Sequence, residues 1–279
     1  MATPEQLPRV TAMRYVQPLR EGGSLPAVVD TEDGLYVVKF RGAGQGPKAL
    51  IAEILVGLLA TALDLPVPQL ALVDLPPPFG RSEPDPEIQD LLRRSHGLNV
   101  GLRYLDGAFN FDPAAAGDVI TPDFASRLVW LDALVTNPDR THRNPNLLVW
   151  QRRPWLIDHG AALYVHHDWA SATPKKTRGP FPLIAGHVLL RRGDELEPVD
   201  AECAGELTGE TLRRIVDLLP DELLRGSGLE REGDPAVHRE RYLDYLTARL
   251  RSPRAFHTAA VEARDSLRRS TPRARSARR

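Results

Sequence analysis

The chain has one cysteine, Cys203, among 279 residues. A lone thiol excludes an internal disulfide framework and leaves no Cys cluster for zinc, which fits a reducing, cytoplasmic setting. An excess of either charge is also missing. With 36 Lys and Arg against 37 Asp and Glu, no global field would draw the chain onto nucleic acid or a membrane surface. Long hydrophobic runs are absent too: the most apolar stretch, 49–63, is too short to span a bilayer and is interrupted by Glu53. The N-terminus has neither the basic start nor the apolar core of a secretion signal. What is present, 42% hydrophobic and 26% charged residues, is the composition of an ordinary globular chain, long enough for one large domain or two lobes.

Residues 9–40 read as short strands, "VTAMRYV", "PAVVD" and "LYVVKF", with a turn at "TEDG". They predict a small antiparallel sheet. A helix is expected over 48–64, stopped by the prolines of "LDLPVP", and "QLALVDL" reads as a further strand. "PPPFGRSEPDPE" reads as a polar loop, and "HGLNVGLRYLDGA" as a strand leading into a flexible crossing point. At Thr121 the pattern changes to an N-cap, a proline at the first helical position and apolar residues at helical spacing. A mainly helical part follows, interrupted by a hairpin of "NLLVW" and "PWLIDHG". The end, "RRSTPRARSARR", has many arginines and no acid, and reads as a disordered tail whose only nucleic-acid role would be weak phosphate neutralisation. The fold class expected is α+β: a small N-terminal sheet with one helix, then a larger helical lobe. Its divisions fall at 1–97 for the first lobe, 98–107 for a hinge segment, 108–255 for the second lobe and 256–279 for the tail.

Three polar residues stand where chemistry is plausible. Asp139 and Asn144 lie five apart on a loop before the apolar "LLVW", and Asp158 ends the run "WLID". The hairpin brings Asn144 and Asp158 close together. Converging oxygen ligands suit Mg²⁺, which keeps several waters and takes substrate phosphates as remaining ligands. Asp139 is then free to orient or deprotonate an attacking hydroxyl. Taken singly, each is as well explained by a cap or an Asx-turn; the ordered set points to a site. An independent signal comes from Lys39, the only charge in "LYVVKF", and Glu53, the only charge between Lys48 and Asp64. Burying either is costly unless they pair, and a strand Lys with a helix Glu is the pair that positions ATP phosphates in protein kinases.

On "VVKF", "AEILVGLLA" with "LDLPVP", "GLRYLDGA", "TNPDRTHRNPNLL" and "LIDHGAAL", residues 9 to about 190 resemble HipA-like kinases. That family has a two-lobed protein-kinase-like fold and is distantly similar to phosphatidylinositol 3/4-kinases. The resemblance implies an ATP- and Mg²⁺-dependent transfer of the γ-phosphoryl group to a hydroxyl acceptor, first of all Ser or Thr of a protein. It also implies that Lys39 and Glu53 position the nucleotide, that Asp139 is the catalytic aspartate, and that Asn144 and Asp158 hold the metal. Asn146, directly before "LLV", competes with Asn144. Gly22, Gly23 and Ser24 in "REGGS" are candidate phosphate contacts, although the stretch has no G-x-G-x-x-G pattern. His159 stands where protein kinases have the Phe of "DFG", and one of Thr141, His142 and Arg143 is a candidate for the γ-phosphate. Lipid or small-molecule kinases, AMP transferases and nucleotide-binding pseudokinases on the same fold remain alternatives. "VHHDW" lacks zinc-site spacing and reads as surface.

Overall fold

In the computed structural model, which describes residues 4–19, 25–81, 83–115, 117–226 and 234–270, the N-terminal sheet is closed rather than open. Strands β1 (Arg9–Pro18), β2 (Ala27–Thr31), β3 (Gly34–Lys39), β4 (Leu70–Leu75) and β5 (Gly97–Arg103) form a barrel in the order β1-β2-β3-β5-β4. The expectation of an antiparallel sheet is corrected at one seam: β1 pairs with β4 in parallel, from Arg9 opposite Leu72 to Thr11 opposite Asp74. The ten-residue β1 reaches both neighbours because its pairing with β2 shifts register between Ala12 and Arg14 and again between Tyr15 and Gln17. Irregularities of this kind bend a strand and increase its twist, and closure leaves no unpaired edge. The period of two along β3 sends Tyr36 and Val38 into the barrel core with Val10, Val29 and Val73. Val37 and Lys39 therefore face the other way.

Two helices accompany the barrel where one was expected. Helix α1 (Gly46–Ala62) has Pro47 in its first turn, where its missing N–H costs nothing, and every residue from Leu50 to Ala60 is buried. It packs against the barrel on one side and helices of the second half on the other, which is why it is apolar all round. Helix α2 (Pro86–Arg94) begins inside the predicted proline-rich loop. There the Asp85 side chain accepts from the N–H groups of Glu87 and Ile88, and Leu91 and Leu92 close over the barrel core. An Asp N-cap followed by proline is a helix start, obscured here by the prolines before it.

The hinge expected over 98–107 is mostly strand: β5 takes it as far as Arg103, paired on one side with β3 and on the other with β4. Beyond it lie β6 (Phe109–Asn110), helix α3 (Pro122–Leu134) and the hairpin β7 (Leu147–Trp150) and β8 (Arg153–Leu156). As predicted, Thr121 caps α3 by accepting from the Phe124 N–H, and the hairpin pairs Leu147 with Leu156. Helices α4 (Pro174–Thr177), α5 (Leu196–Glu206), α6 (Gly209–Asp217), α7 (Asp221–Arg225), α8 (Pro235–Leu250) and α9 (Ala255–Ser270) complete the described chain. Helix α9 overturns the first part of the predicted tail. Phe256, Ala260 and Arg264 recur at helical spacing on its buried face, and Arg264 pairs with Glu197. Residues 271–279 lie outside the described residues. Among the described residues, no helix is long and apolar enough to cross a membrane.

Candidate active site

A cavity of about 1070 Å³ has walls from both halves of the chain. Val37, Leu102 and Leu105 come from the barrel and its exit, Ile157 and Asp158 from the end of β8, and Asp139, Arg143, Asn144 and Asn146 from the loop after α3. Lys39 stands on the barrel wall because the alternation of β3 turns it away from the barrel core. Its Nζ donates to Glu53 Oε2 at 2.7 Å and to Asp158 Oδ1 at 2.6 Å. Burial alone would lower its pKa; the two carboxylates outweigh that and raise it. Asp158 shows the mirror effect, with burial opposing ionisation and Lys39 holding the carboxyl below its usual range. Glu53 is fully buried, and its Oε2 also accepts from the main-chain N–H of His159 at 2.7 Å.

The other polar group is built by the loop after α3. Asp139 Oδ2 accepts from Asn144 Nδ2 at 2.9 Å and from Asn146 Nδ2 at 3.1 Å. Asn144 is exposed whereas Asn146 is buried. Asn146 and Asp158 both adopt left-handed backbone, with φ of 49° and 55°. Asn and Asp tolerate this conformation better than most residues, and such strain collects at functional sites. The structure thus brings together Lys39, Glu53 and Asp158 in one cluster and Asp139, Asn144 and Asn146 in another, both on one cavity. Gly22, Gly23 and Ser24 lie outside the described residues. Asn99, in the segment read as a hinge, does not line the cavity: its side chain bonds the carbonyls of Ser95 and Gly97 and the N–H of Arg41. Residues 102–105 of the same segment do line it. Of the three candidates for the γ-phosphate, Arg143 lines the cavity, while Thr141 is bridged to His187.

Beneath the loop lies a buried network that the motif reading missed. Arg140 is 1% exposed. Its Nε donates to Asp132 Oδ2 at 2.6 Å, its Nη1 to the carbonyls of Asn146 and Ile157, and its Nη2 to His159 Nδ1 at 3.2 Å. Asp132, on α3, also accepts from His187 Nε2 and from Asn137 Nδ2. Burial opposes its ionisation, but Arg140 and His187 outweigh that and hold its carboxyl well below the usual range. Asp132 carried a legible signal, since it is the lone charge in "LVWLDALV", the same pattern that marks Glu53.

His166, read from sequence as surface, is fully buried and shares a hydrogen bond of 3.1 Å between Nδ1 and the Tyr242 hydroxyl. Burial, with His167 and Lys48 adding to it, pushes the ring down to about 3. An unfolded histidine titrates near 6.5, so between these values the unfolded chain binds the extra proton. Stability is complete above about pH 6.5 and is lost as the pH falls toward 3. At about 1.4 kcal/mol per pKa unit, the loss from this ring is on the order of 2–3 kcal/mol by pH 4.5. Urea unfolding across this range is expected to show the decline, and His166→Leu to make it shallower; an unchanged slope in the variant would assign the effect elsewhere.

Among the described residues, no group of three or more His, Cys, Asp or Glu side chains is arranged to hold a metal ion. The oxygen donors on the cavity wall include the carboxylates of Asp139 and Asp158 and the amides of Asn144 and Asn146, a set compatible with a cation such as Mg²⁺ that takes only one or two carboxylates from the protein.

A family model described as HipA-like kinase matches residues 13–174. Among solved structures, the chain is similar to a Helicobacter pylori proinflammatory kinase, CtkA, at 13% identity and a TM-score of 0.55. That likeness covers 92% of this chain and 98% of the other, and at such identity it speaks for the fold. No curated protein sequence matches.

Proposed function

Because the chain belongs to the HipA-like kinase family, we propose that it uses ATP and Mg²⁺ to move the γ-phosphoryl group to a hydroxyl, in the first place a Ser or Thr of a protein. The observation that carries this reading is the double ion pair of Lys39 with Glu53 and Asp158 on one wall of the cavity, facing the Asp139 loop that lines the same space. On this reading the barrel with α1 and α2, up to the end of β5 at Arg103, is the nucleotide lobe, the residues from 108 through α9 are the catalytic lobe, and the adenine lies against 102–105.

Lys39, held by Glu53, fixes the phosphates. Asp158 and Asn144 would hold Mg²⁺, which when bound neutralises phosphate charge. Asn144 is preferred over Asn146 because it is exposed on the cavity side and keeps the five-residue spacing from Asp139. Asp139, oriented by both amides, accepts the proton of the attacking hydroxyl. Such catalysis is mainly positioning and electrostatics.

The test is to incubate the protein with Mg²⁺, ATP labelled at either the γ- or the α-phosphate, and a cell lysate, beside Asp158→Ala. Label from the γ position, lost in the variant, is the expected result and identifies the acceptor as protein, lipid or metabolite. Label only from the α position would replace the kinase reading with AMP transfer. ATP binding without any label would favour a nucleotide-binding regulatory module.

A further inference from the structure

In protein kinases the Phe after the metal-binding Asp sets active and inactive states by its packing. Here His159 occupies that place, fully buried and tied at two points. Its main-chain N–H donates to Glu53 Oε2, the oxygen that receives Lys39. Its ring Nδ1 lies 3.2 Å from Arg140 Nη2. A guanidinium can only donate, so Nδ1 is the acceptor and the ring proton sits on Nε2. That Nε2 is buried with no hydrogen-bond partner among the described residues. An unpartnered buried donor costs on the order of 1–3 kcal/mol, which an apolar side chain would avoid. An apolar side chain would, however, leave Arg140 Nη2 without its acceptor, so what the imidazole contributes is that acceptor atom.

Arg140, on the other side of that bond, is the residue next to Asp139 and fixes the carbonyls of Asn146 and Ile157. We propose that His159 is a positioning residue that joins the Lys39–Glu53 pair to the Asp139 loop through Arg140, holding both in register before any substrate arrives. The inference rests on the kinase reading for its effect on turnover, but the joint itself is a matter of structure. The two ties also act differently. The main-chain tie to Glu53 survives any substitution at 159 other than proline, so the nucleotide side keeps its geometry; only the ring tie to Arg140 depends on the side chain.

His159→Leu removes the ring acceptor along with the orphaned donor, and His159→Asn returns an amide oxygen close to the position of Nδ1. His159→Leu is expected to lower kcat about 10–100-fold, the scale of a small misplacement of a reacting group, with KM for ATP unchanged and thermal stability little changed, because the orphaned Nε2 donor is removed while Arg140 Nη2 loses its acceptor. His159→Asn is expected to recover most of the loss. Hydrogen exchange gives a readout independent of turnover: amides of 137–146 are expected to exchange faster in His159→Leu and to return in His159→Asn, while those of 46–62 stay unchanged. If the wild type shows no transfer, the kinase reading fails and exchange alone judges the joint. Unchanged exchange over 137–146 in His159→Leu, or an Asn variant as perturbed as the Leu variant, would overturn the proposal. So would a large fall in melting temperature of His159→Leu, which would make the ring a structural element only.

Discussion

Asp139→Ala is expected to lower kcat by about 10²–10⁴-fold, the usual contribution of a general base, while ATP binds as in the wild type. On the proposed mechanism the carboxylate does two things: it orients the acceptor hydroxyl and takes its proton. The two amide donors on Oδ2 fix its direction, so Asp139→Asn, with nearly the same shape, tests the proton-accepting role separately. Both variants should lose turnover, because an amide has no basic oxygen for the proton. ATP affinity should survive, because Lys39, Glu53 and Asp158 form their own cluster without contact to Asp139. Single-turnover transfer from γ-labelled ATP, paired with a direct binding titration, checks both halves. Wild-type transfer in Asp139→Asn would remove Asp139 from the chemistry; lost ATP binding would mean that the loop supports the nucleotide side instead.

The residues legible in the sequence share one property: their signal is local. Lys39 and Glu53 each stand as the lone charge in an apolar element, and burial of such an element makes a partner of opposite charge necessary. The hairpin, whose end returns to the Asp139 loop through the Ile157 N–H on the Asn146 carbonyl, is also a short-range feature, as is the N-cap of α3. What the sequence hides depends on distant pairing. Nothing in "RVTAMRYVQP" says that its start will meet β4 in parallel while the rest pairs with β2, so the barrel reads as an open sheet. Helix α9 is concealed by composition: its arginines suggest a solvated tail, yet Arg264 meets Glu197 on α5 and Arg254, just before the helix, meets Asp200 on the same element. Arg140 is hidden by its neighbour. As part of a polar loop, it gives no sign that its partners Asp132, Ile157 and His159 will surround it, since they converge only when α3 and the end of β8 come together.

Arg140→Met is expected to destabilise the protein by about 3–5 kcal/mol, the cost of breaking a buried ion pair by removing one partner. Both side chains of the Asp132–Arg140 pair are fully shielded from solvent. Without the guanidinium, the Asp132 carboxylate would keep only His187 and Asn137, and the carbonyls of Asn146 and Ile157 would lose their donor. For a chain of this size the melting temperature should drop by about 10 °C. The double variant Asp132→Leu with Arg140→Met removes the stranded charge, so it should regain part of that stability, as replaced buried pairs often do. Its turnover should not return with it, because the carbonyl contacts that set the Asp139 loop are still missing. Melting curves and turnover on the single and double variants separate the two effects. A double variant no more stable than Arg140→Met would show that charge burial is not the source of the loss. Turnover returning in step with stability would show that Arg140 supports the fold without setting the catalytic loop.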